Sequence, residues 1–519
     1  MKINILFVLS LLVIASCNKV PPANQINYKE QHRPQFHFSP EKGWMNDPNG
    51  LVYFKNTYHL FYQYFPDSTV WGPMHWGHAV SKDLVHWKHL PIALYPDSLG
   101  YIFSGSVVAD KNNASGFQNG NDGPLVAIFT YHDMKKEKVG RIDRESQAIA
   151  YSNDEGNSWT KYTGNPVIKN KGDQDFRDPK VFWHEASSRW IMPLAVHDHL
   201  EIYSSPNLIS WVKESEFGSA DGAHGGAWEC PDLFPLKTNE GIEKWVLIQN
   251  IDRGSISGGS GTQYFVGDFN GKTFVNENSP KTILWIDYGA DNYAGVTWFG
   301  IPDSRRIFIG WMSNWDDYAT RVPTKNWRSA MTIPRELGLI KTDEGLRITQ
   351  RPIKELAQLW EKKIDISAQA FKDSLVIPNQ SIQKEIELQF DLSQSTASTF
   401  GVIIGNKIKE KVIIGYDKAK HEVFIDRTKS GKIDFSKKFA RKHTAPYRAA
   451  NLLKLHLFID AASVELFVDE GQIVMTEIFF PNEDFSNLTL FSSGGSSSLL
   501  KGELYELKSI WAMQNQGTN

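Results

Sequence analysis

The chain has 519 residues, with 56 Lys plus Arg against 59 Asp plus Glu and a formal net charge of -3. That length allows two or three domains and a substantial core. The near balance of charge, without any Lys/Arg-rich run, excludes nucleic acid as an expected partner. Two cysteines are present, Cys17 and Cys230. Cys17 lies in an N-terminal leader, so Cys230 is left as a lone thiol and the fold must be held by its core rather than by a disulfide. No Cys/His spacing of a zinc site occurs, and no metal or cofactor is expected.

In chain order, Lys2 opens a short positive region and residues 3–14 form a mostly apolar stretch interrupted by Asn4 and Ser10. Ile14-Ala15-Ser16-Cys17 follows, reading as a small-residue cleavage site ahead of a cysteine. The stretch is too short to span a membrane and reads as a secretory signal over 1–17. It resembles a bacterial lipobox, which implies lipidation of Cys17 in an exported lipoprotein, membrane-anchored only through that lipid and facing the periplasm or the cell surface. Ordinary cleavage near Ala15 or Ser16, without lipid, is the alternative. The polar, proline-containing residues 18–34 read as a tether.

Trp44-Met45-Asn46-Asp47-Pro48-Asn49-Gly50 reads as a tight turn that holds one carboxylate, Asp47, in a polar corner. Leu51-Val52-Tyr53-Phe54, a Lys-Asn turn and Tyr58 to Tyr64 form a hairpin signal. A weak repeat then appears as Ser81-Lys82-Asp83 before Trp87, Ser152-Asn153-Asp154 before Trp159, and Ser205-Pro206-Asn207 before Trp211. Each puts a polar turn between a strand and a Trp, at spacings of about 50 to 70 residues, which suits the blades of a β-propeller. The Gly-rich run 254–259 lacks the Gly-Lys-Ser/Thr of a phosphate loop and reads as a plain loop. Pro352 suits the first turn of a short helix with Ile353, Leu356 and Trp360 on one face. Beyond it, Ile386, Leu388, Phe390 and Leu392 alternate with polar residues, as do Leu453 to Ile459 and Val464 to Val468. This is the half-buried antiparallel pattern of a β-sandwich.

Three acidic motifs, Asp47 in its Trp-Met-Asn-Asp-Pro-Asn-Gly string, Arg177-Asp178-Pro179 and Trp228-Glu229-Cys230-Pro231, together resemble the signature of glycoside hydrolase family 32, the β-fructosidases. The resemblance covers essentially the whole mature chain. It implies an all-β protein, a five-bladed β-propeller over residues 35–345 and a C-terminal β-sandwich over 366–519, joined by a short helical linker over 346–365. It further implies a retaining hydrolase, without cofactor, that releases terminal β-D-fructofuranosyl units from levan, inulin or sucrose.

Retention of configuration needs one ionised carboxylate to attack the anomeric carbon and one protonated carboxyl to release the leaving oxygen. Asp47, among Asn46, Asn49 and turn amides, is suited to the first role; Glu229, flanked by Trp228, Cys230 and Pro231, to the second. By resemblance Asp47 is the nucleophile and Glu229 the acid/base, while Asp178 binds sugar hydroxyls and Arg177 donates paired hydrogen bonds. Trp44, Asn46, Gln63, Trp71 and Ser104 match substrate-binding positions, and Trp315 lines the site floor or rim or packs in the core, the two readings standing equal. Phe103, in Phe103-Ser104-Gly105-Ser106, stands where the family usually has Trp, keeping an aromatic face but removing an N–H donor. For Asp291, structural and binding roles are equally open. The 17 Trp serve mainly as core, with some available to stack on sugar rings. Trp71 to His78 and the segment 258–267 resemble those of exo-acting members. An endo-levanase, an inactive fructan-binding lipoprotein and an arabinan-cleaving propeller are the competing readings.

Overall fold

The computed structural model describes residues 28–379 and 381–511. The signal sequence, Cys17 and most of the tether lie outside the described residues. Five small sheets succeed one another as propeller blades, and a large sheet folds into the C-terminal sandwich. The first strands of the five blades are Gly43–Phe54, Tyr101–Ala109, Phe182–His184, Trp228–Lys237 and Tyr293–Thr297. Those of blades one, two, four and five pack on one another around the axis. The ring is closed on blade one, where Trp327–Arg328 pairs in parallel with Gly43 and Trp44.

The Ser–Asp/Asn–Trp repeat is the turn between the last two strands of blades one, two and three. Asp83 Oδ1 accepts from the amides of Val85 and His86 at 3.0 and 2.8 Å, and the Trp87 indole donates back to Leu84 O at 3.1 Å. Asp154 Oδ1 accepts from Ser158 N at 2.9 Å and Trp159 donates to Gly156 O at 3.1 Å. Asn207 Oδ1 accepts from Ile209 N and Ser210 N, with Trp211 donating to Leu208 O at 2.9 Å. Each side-chain oxygen satisfies turn amides that have no strand partner. Blade four carries a fourth copy that lacks Trp: Asn270 Oδ1 accepts from Lys272 N and Thr273 N, and Phe274 takes the Trp position.

Two local expectations are corrected. The Asp47-Pro48-Asn49-Gly50 run is not a tight turn but the middle of the strand Gly43–Phe54. Register shifts between Met45 and Pro48 and between Asn49 and Val52 absorb it as two bulges. Pro48, which has no N–H to give a ladder, is tolerated at such a bulge. Gly50 sits at φ +55°, and a Cβ there would lie 2.6 Å from the Phe61 ring. Burial of Trp44, Met45, Leu51 and Val52 on either side outweighs the turn propensity of the four residues between. The helical linker expected over 346–365 is instead the end of the strand Gly345–Pro352, a 3-10 segment Lys354–Leu359 and the strand Trp360–Ile366. Its buried residues are Ile353, Leu356 and Leu359, not Trp360, which is 41% exposed. A three-residue turn places i, i+3 and i+6 on one face, where an α-helix would have placed i+7.

In the sandwich the 21-residue strand Asn487–Leu507 belongs to both layers. Its first third pairs with Thr399–Gly405 and its last with Lys384–Asp391 and Trp360–Ile366. The alternating residues Ile386, Leu388, Phe390, Leu453, Leu455, Leu457, Ile459, Val464, Leu466 and Val468 all enter one core.

Buried ions join sandwich and propeller. Arg335 bridges Asp287 and Glu465. His37 lies between Asp460 and Glu465 at 2.7 and 2.9 Å. Arg427 of the sandwich pairs with Asp291 and Glu477. Asp291, which also accepts from Tyr318, is therefore a residue of the domain junction rather than of a sugar site.

Candidate active site

The blades bring the three motif carboxyls Asp47, Asp178 and Glu229, distant in sequence, to one cavity of about 230 Å³. Asp47 comes from the bulged first strand of blade one. Ser104 comes from the first strand of blade two, and Arg177 and Asp178 from the short strand that leads into blade three. Glu229 comes from the first strand of blade four, and Tyr293 reaches in from that of blade five. Asn46, Asp47, Gln63, Trp71, Phe103, Ser104, Arg177, Asp178, Glu229 and Trp315 all line the cavity.

Trp44 does not. It is fully buried, donating to Asn46 Oδ1 at 2.7 Å and lying against the Trp315 ring at 5.7 Å between centroids. Its place in the strand turns it behind the site, where it orients Asn46 and Trp315 rather than touching a ligand.

Asp47 is held by donors on both oxygens. Asn46 Nδ2 donates to Oδ1 at 2.9 Å, and Ser104 Oγ to Oδ2 at 2.6 Å. The Cys230 thiol also reaches Oδ2, at 3.5 Å. Asn49 bonds the Asp47 backbone carbonyl, not its carboxylate. Asp178, at φ +65°, accepts from Cys230 N at 3.1 Å and lies 3.6 Å from the Cys230 sulfur. Its own amide donates to Thr130 Oγ1 at 3.0 Å. Cys230 itself is left-handed, at φ +44°, at a bulge between Glu229 and Asp232. The bulge is what turns its sulfur to Asp47 and Asp178.

Glu229 is not in an apolar setting, despite its sequence neighbours. Arg177 donates to its Oε1 through Nη2 at 2.7 Å and Nε at 3.2 Å, and the Tyr293 hydroxyl donates to Oε2. Trp228 points to the opposite face of the strand, into the blade core. Burial nonetheless pushes the Glu229 carboxyl above its ordinary value, against the pull of Arg177 and with the support of the Asp47 charge. Burial raises Asp178 as well, again against Arg177 and with Glu229 and Asp47 adding to the rise. Carboxyl groups so close cannot all ionise together.

Gln63 Nε2 is buried with no hydrogen-bond partner among the described residues, leaving a donor for a ligand. Phe103 stacks on His132 at 4.2 Å and meets Trp71 edge-on at 6.0 Å. The site also contains residues that sequence reasoning missed: His132, Glu137, Arg144, Glu145 and Asp175, besides Tyr293. They come from the second and third strands of blade two and the five-residue helix Met134–Lys138, or flank known motifs. Asp175, two residues before Arg177, lies in a turn at φ +53° ahead of the strand Phe176–Arg177, so no strand alternation marked it either.

A five-bladed propeller that brings Asp47, Asp178, Glu229 and Arg177 from separate blades to one polar cavity has the site of a glycosidase. The chain matches the model of the glycosyl hydrolases family 32 N-terminal domain over residues 37–352 and that of the family 32 C terminal over 354–506. It belongs to glycoside hydrolase family 32. It is 48% identical to a levanase of Bacillus subtilis (strain 168) over 523 residues, covering 98% of this chain and 75% of that protein. It is 39% identical to an extracellular exo-inulinase of Aspergillus awamori, covering 93% and 96%. The crystal structure of an exo-inulinase from Aspergillus awamori superposes with a TM-score of 0.87 at 38% identity, covering 93% of this chain and all of that one. A β-fructofuranosidase from Schwanniomyces occidentalis complexed with fructosyl-erythritol gives 0.85 at 32% identity, covering 93% and 99%.

Proposed function

We propose that this glycosidase releases terminal β-D-fructofuranosyl units from levan, inulin and sucrose by double displacement. Asp47 attacks the anomeric carbon of the terminal ring while Glu229 passes its proton to the departing oxygen. The bond to the leaving group breaks and a fructosyl ester on Asp47 forms. A water then gives its proton to Glu229 and its oxygen to the anomeric carbon, which frees Asp47. Asn46, Gln63, Trp71, Ser104, Arg177 and Asp178 bind the ring. Phe103 and Trp315 form aromatic walls. The observation that carries this reading is the contrast between the two carboxyls. Asp47 accepts from Asn46, Ser104 and Cys230, as suits an anion, whereas burial favours the protonated form of Glu229. The relatives named exo-inulinase support attack at chain ends.

Product profiles on levan, inulin, sucrose and arabinan, measured side by side, test it. Free fructose as the sole early product from the first three is expected. A ladder of levan oligosaccharides with sucrose untouched would replace the exo reading by an endo-levanase. Binding without release would favour an inactive fructan-binding protein, and release from arabinan alone a different propeller enzyme.

The same proposal includes export with a leader over 1–17, a lipid on Cys17 and a tether over 18–34, on the strength of the sequence pattern. The catalytic unit is then the propeller, 35–345, with the sandwich, 366–519, as its brace. Metabolic labelling with a fatty acid should mark the wild type and not Cys17→Ala. An unlabelled wild type would leave ordinary secretion.

A further inference from the structure

Glu229 presents a difficulty for its proposed role. Among the described residues, Arg177 is the only cation in contact with it, and the Tyr293 hydroxyl is a second donor. A guanidinium given wholly to one carboxylate holds that carboxylate ionised, and an ionised Glu229 has no proton to donate.

The guanidinium is not given wholly to Glu229. Its Nη1 donates to Asp175 Oδ1 at 2.7 Å and to Glu145 Oε1 at 3.2 Å. Glu145 is fully buried at its side chain, so its charge is unscreened by solvent, and its second oxygen has no partner among the described residues. Although burial alone would raise it, the Arg177 charge and the His132 hydrogen bond bring the Glu145 carboxyl below its ordinary value. His132 in turn lies 3.1 Å from both Glu145 and the half-exposed Glu137. Asp175 is shared with Arg144 at 3.0 Å and His197 at 3.5 Å. Glu229 also feels the Asp47 and Asp252 carboxyls, and it acts in turn on Asp178 and Cys230, none of which is a cation.

We propose that Glu145, with Asp175, is a positioning residue that divides the charge of Arg177 and so keeps Glu229 able to donate its proton. Neither needs to touch the sugar. The inference rests on the reading of Glu229 as the acid.

The test is the pH profile of kcat/KM on sucrose for wild type, Glu229→Gln, Glu145→Gln and Asp175→Asn. Glutamine keeps the shape and the accepting oxygen of Glu145 while removing its charge. With Arg177 turned more fully to Glu229, the basic limb should move to lower pH by about one unit. On an activated fructoside whose leaving group needs no proton, the loss at neutral pH should be much smaller. Asp175→Asn should move the limb the same way, so a failure of either variant to fold leaves the other to decide. A basic limb that stays in place in a folded variant, or equal losses at every pH and on both substrates, would overturn the proposal and leave a structural role. If the wild-type basic limb persists in Glu229→Gln, it is the assignment of the acid that fails, not the part given to Glu145.

Discussion

At the residue scale, Asp47 and Cys230 are coupled by the bulge in the first strand of blade four. Asp47→Asn preserves the shape of the carboxylate but cannot form the ester. It should leave a folded protein with turnover reduced by about a thousandfold or more, as read by fructose release beside an unchanged melting curve. Residual activity well above that level would remove Asp47 from the nucleophile's role. Cys230 donates its weak S–H to Asp47, while its backbone amide holds Asp178. Cys230→Ala deletes the thiol and keeps the amide. The expected outcome is a folded enzyme with kcat/KM lowered by about three- to tenfold, the worth of one modest hydrogen bond. Complete inactivity in a folded Cys230→Ala protein would mean that the sulfur does more than donate.

At the scale of the element, the first strand of blade two shows how closely site and scaffold are tied. Ser104 reaches Asp47 because Gly105 lets the next strand approach. A Cβ on Gly105 would stand 2.1 Å from Ile128 O and 2.7 Å from Phe129 Cα. Both atoms are backbone, so the strands themselves would have to part. The Gly105 amide is also bonded to Asn49 Oδ1 at 3.2 Å, which links blade two to the bulge that carries Asp47. Gly105→Ala should therefore cost about 1–3 kcal/mol of stability and also lower kcat. Thermal unfolding and initial rates would show both. A loss of stability with kcat intact would mean that Ser104 keeps its place without this glycine.

At the scale of the whole molecule, the sandwich is tied to the propeller by charges that have no access to water. Truncating one partner of such a set leaves the other charge buried and alone, which is why these clusters resist change. His37 gives the set a pH dependence. Burial by itself would lower its pKa, but the hydrogen bonds its ring donates to Asp460 and Glu465 raise it from the usual 6.5 to about 9. A group whose folded pKa is raised stabilises the protein fully below its unfolded pKa. That contribution, on the order of 3 kcal/mol, is lost as pH rises from about 6.5 through about 9. The melting temperature of the wild type should fall over this window, and that of His37→Gln should start lower and fall less. Parallel curves for the two proteins would show that His37 does not carry the charge at this junction.

Much of this protein was legible in its residues alone because the relevant physics is local. The two-residue alternation of Ile386, Leu388 and Phe390 specifies a strand with one wet face whatever its neighbours. The Ser–Asp/Asn–Trp turns close on themselves within seven or eight residues, so three blades announce themselves in sequence. The motifs around Asp47, Asp178 and Glu229 likewise carry their own chemistry. Tertiary structure decided what depends on distant partners. Asp47-Pro48-Asn49-Gly50 became a bulged strand because the apolar residues around it are buried against other strands. Trp44 turned behind the cavity. Asp291 went to Arg427, a partner 136 residues away. Glu229 met Arg177 and Tyr293 in place of its apolar sequence neighbours, and Glu145, with no motif to mark it, came to share that arginine. Side-chain direction and the partition of one buried charge among several carboxylates are set by packing across blades, and no local pattern encodes them.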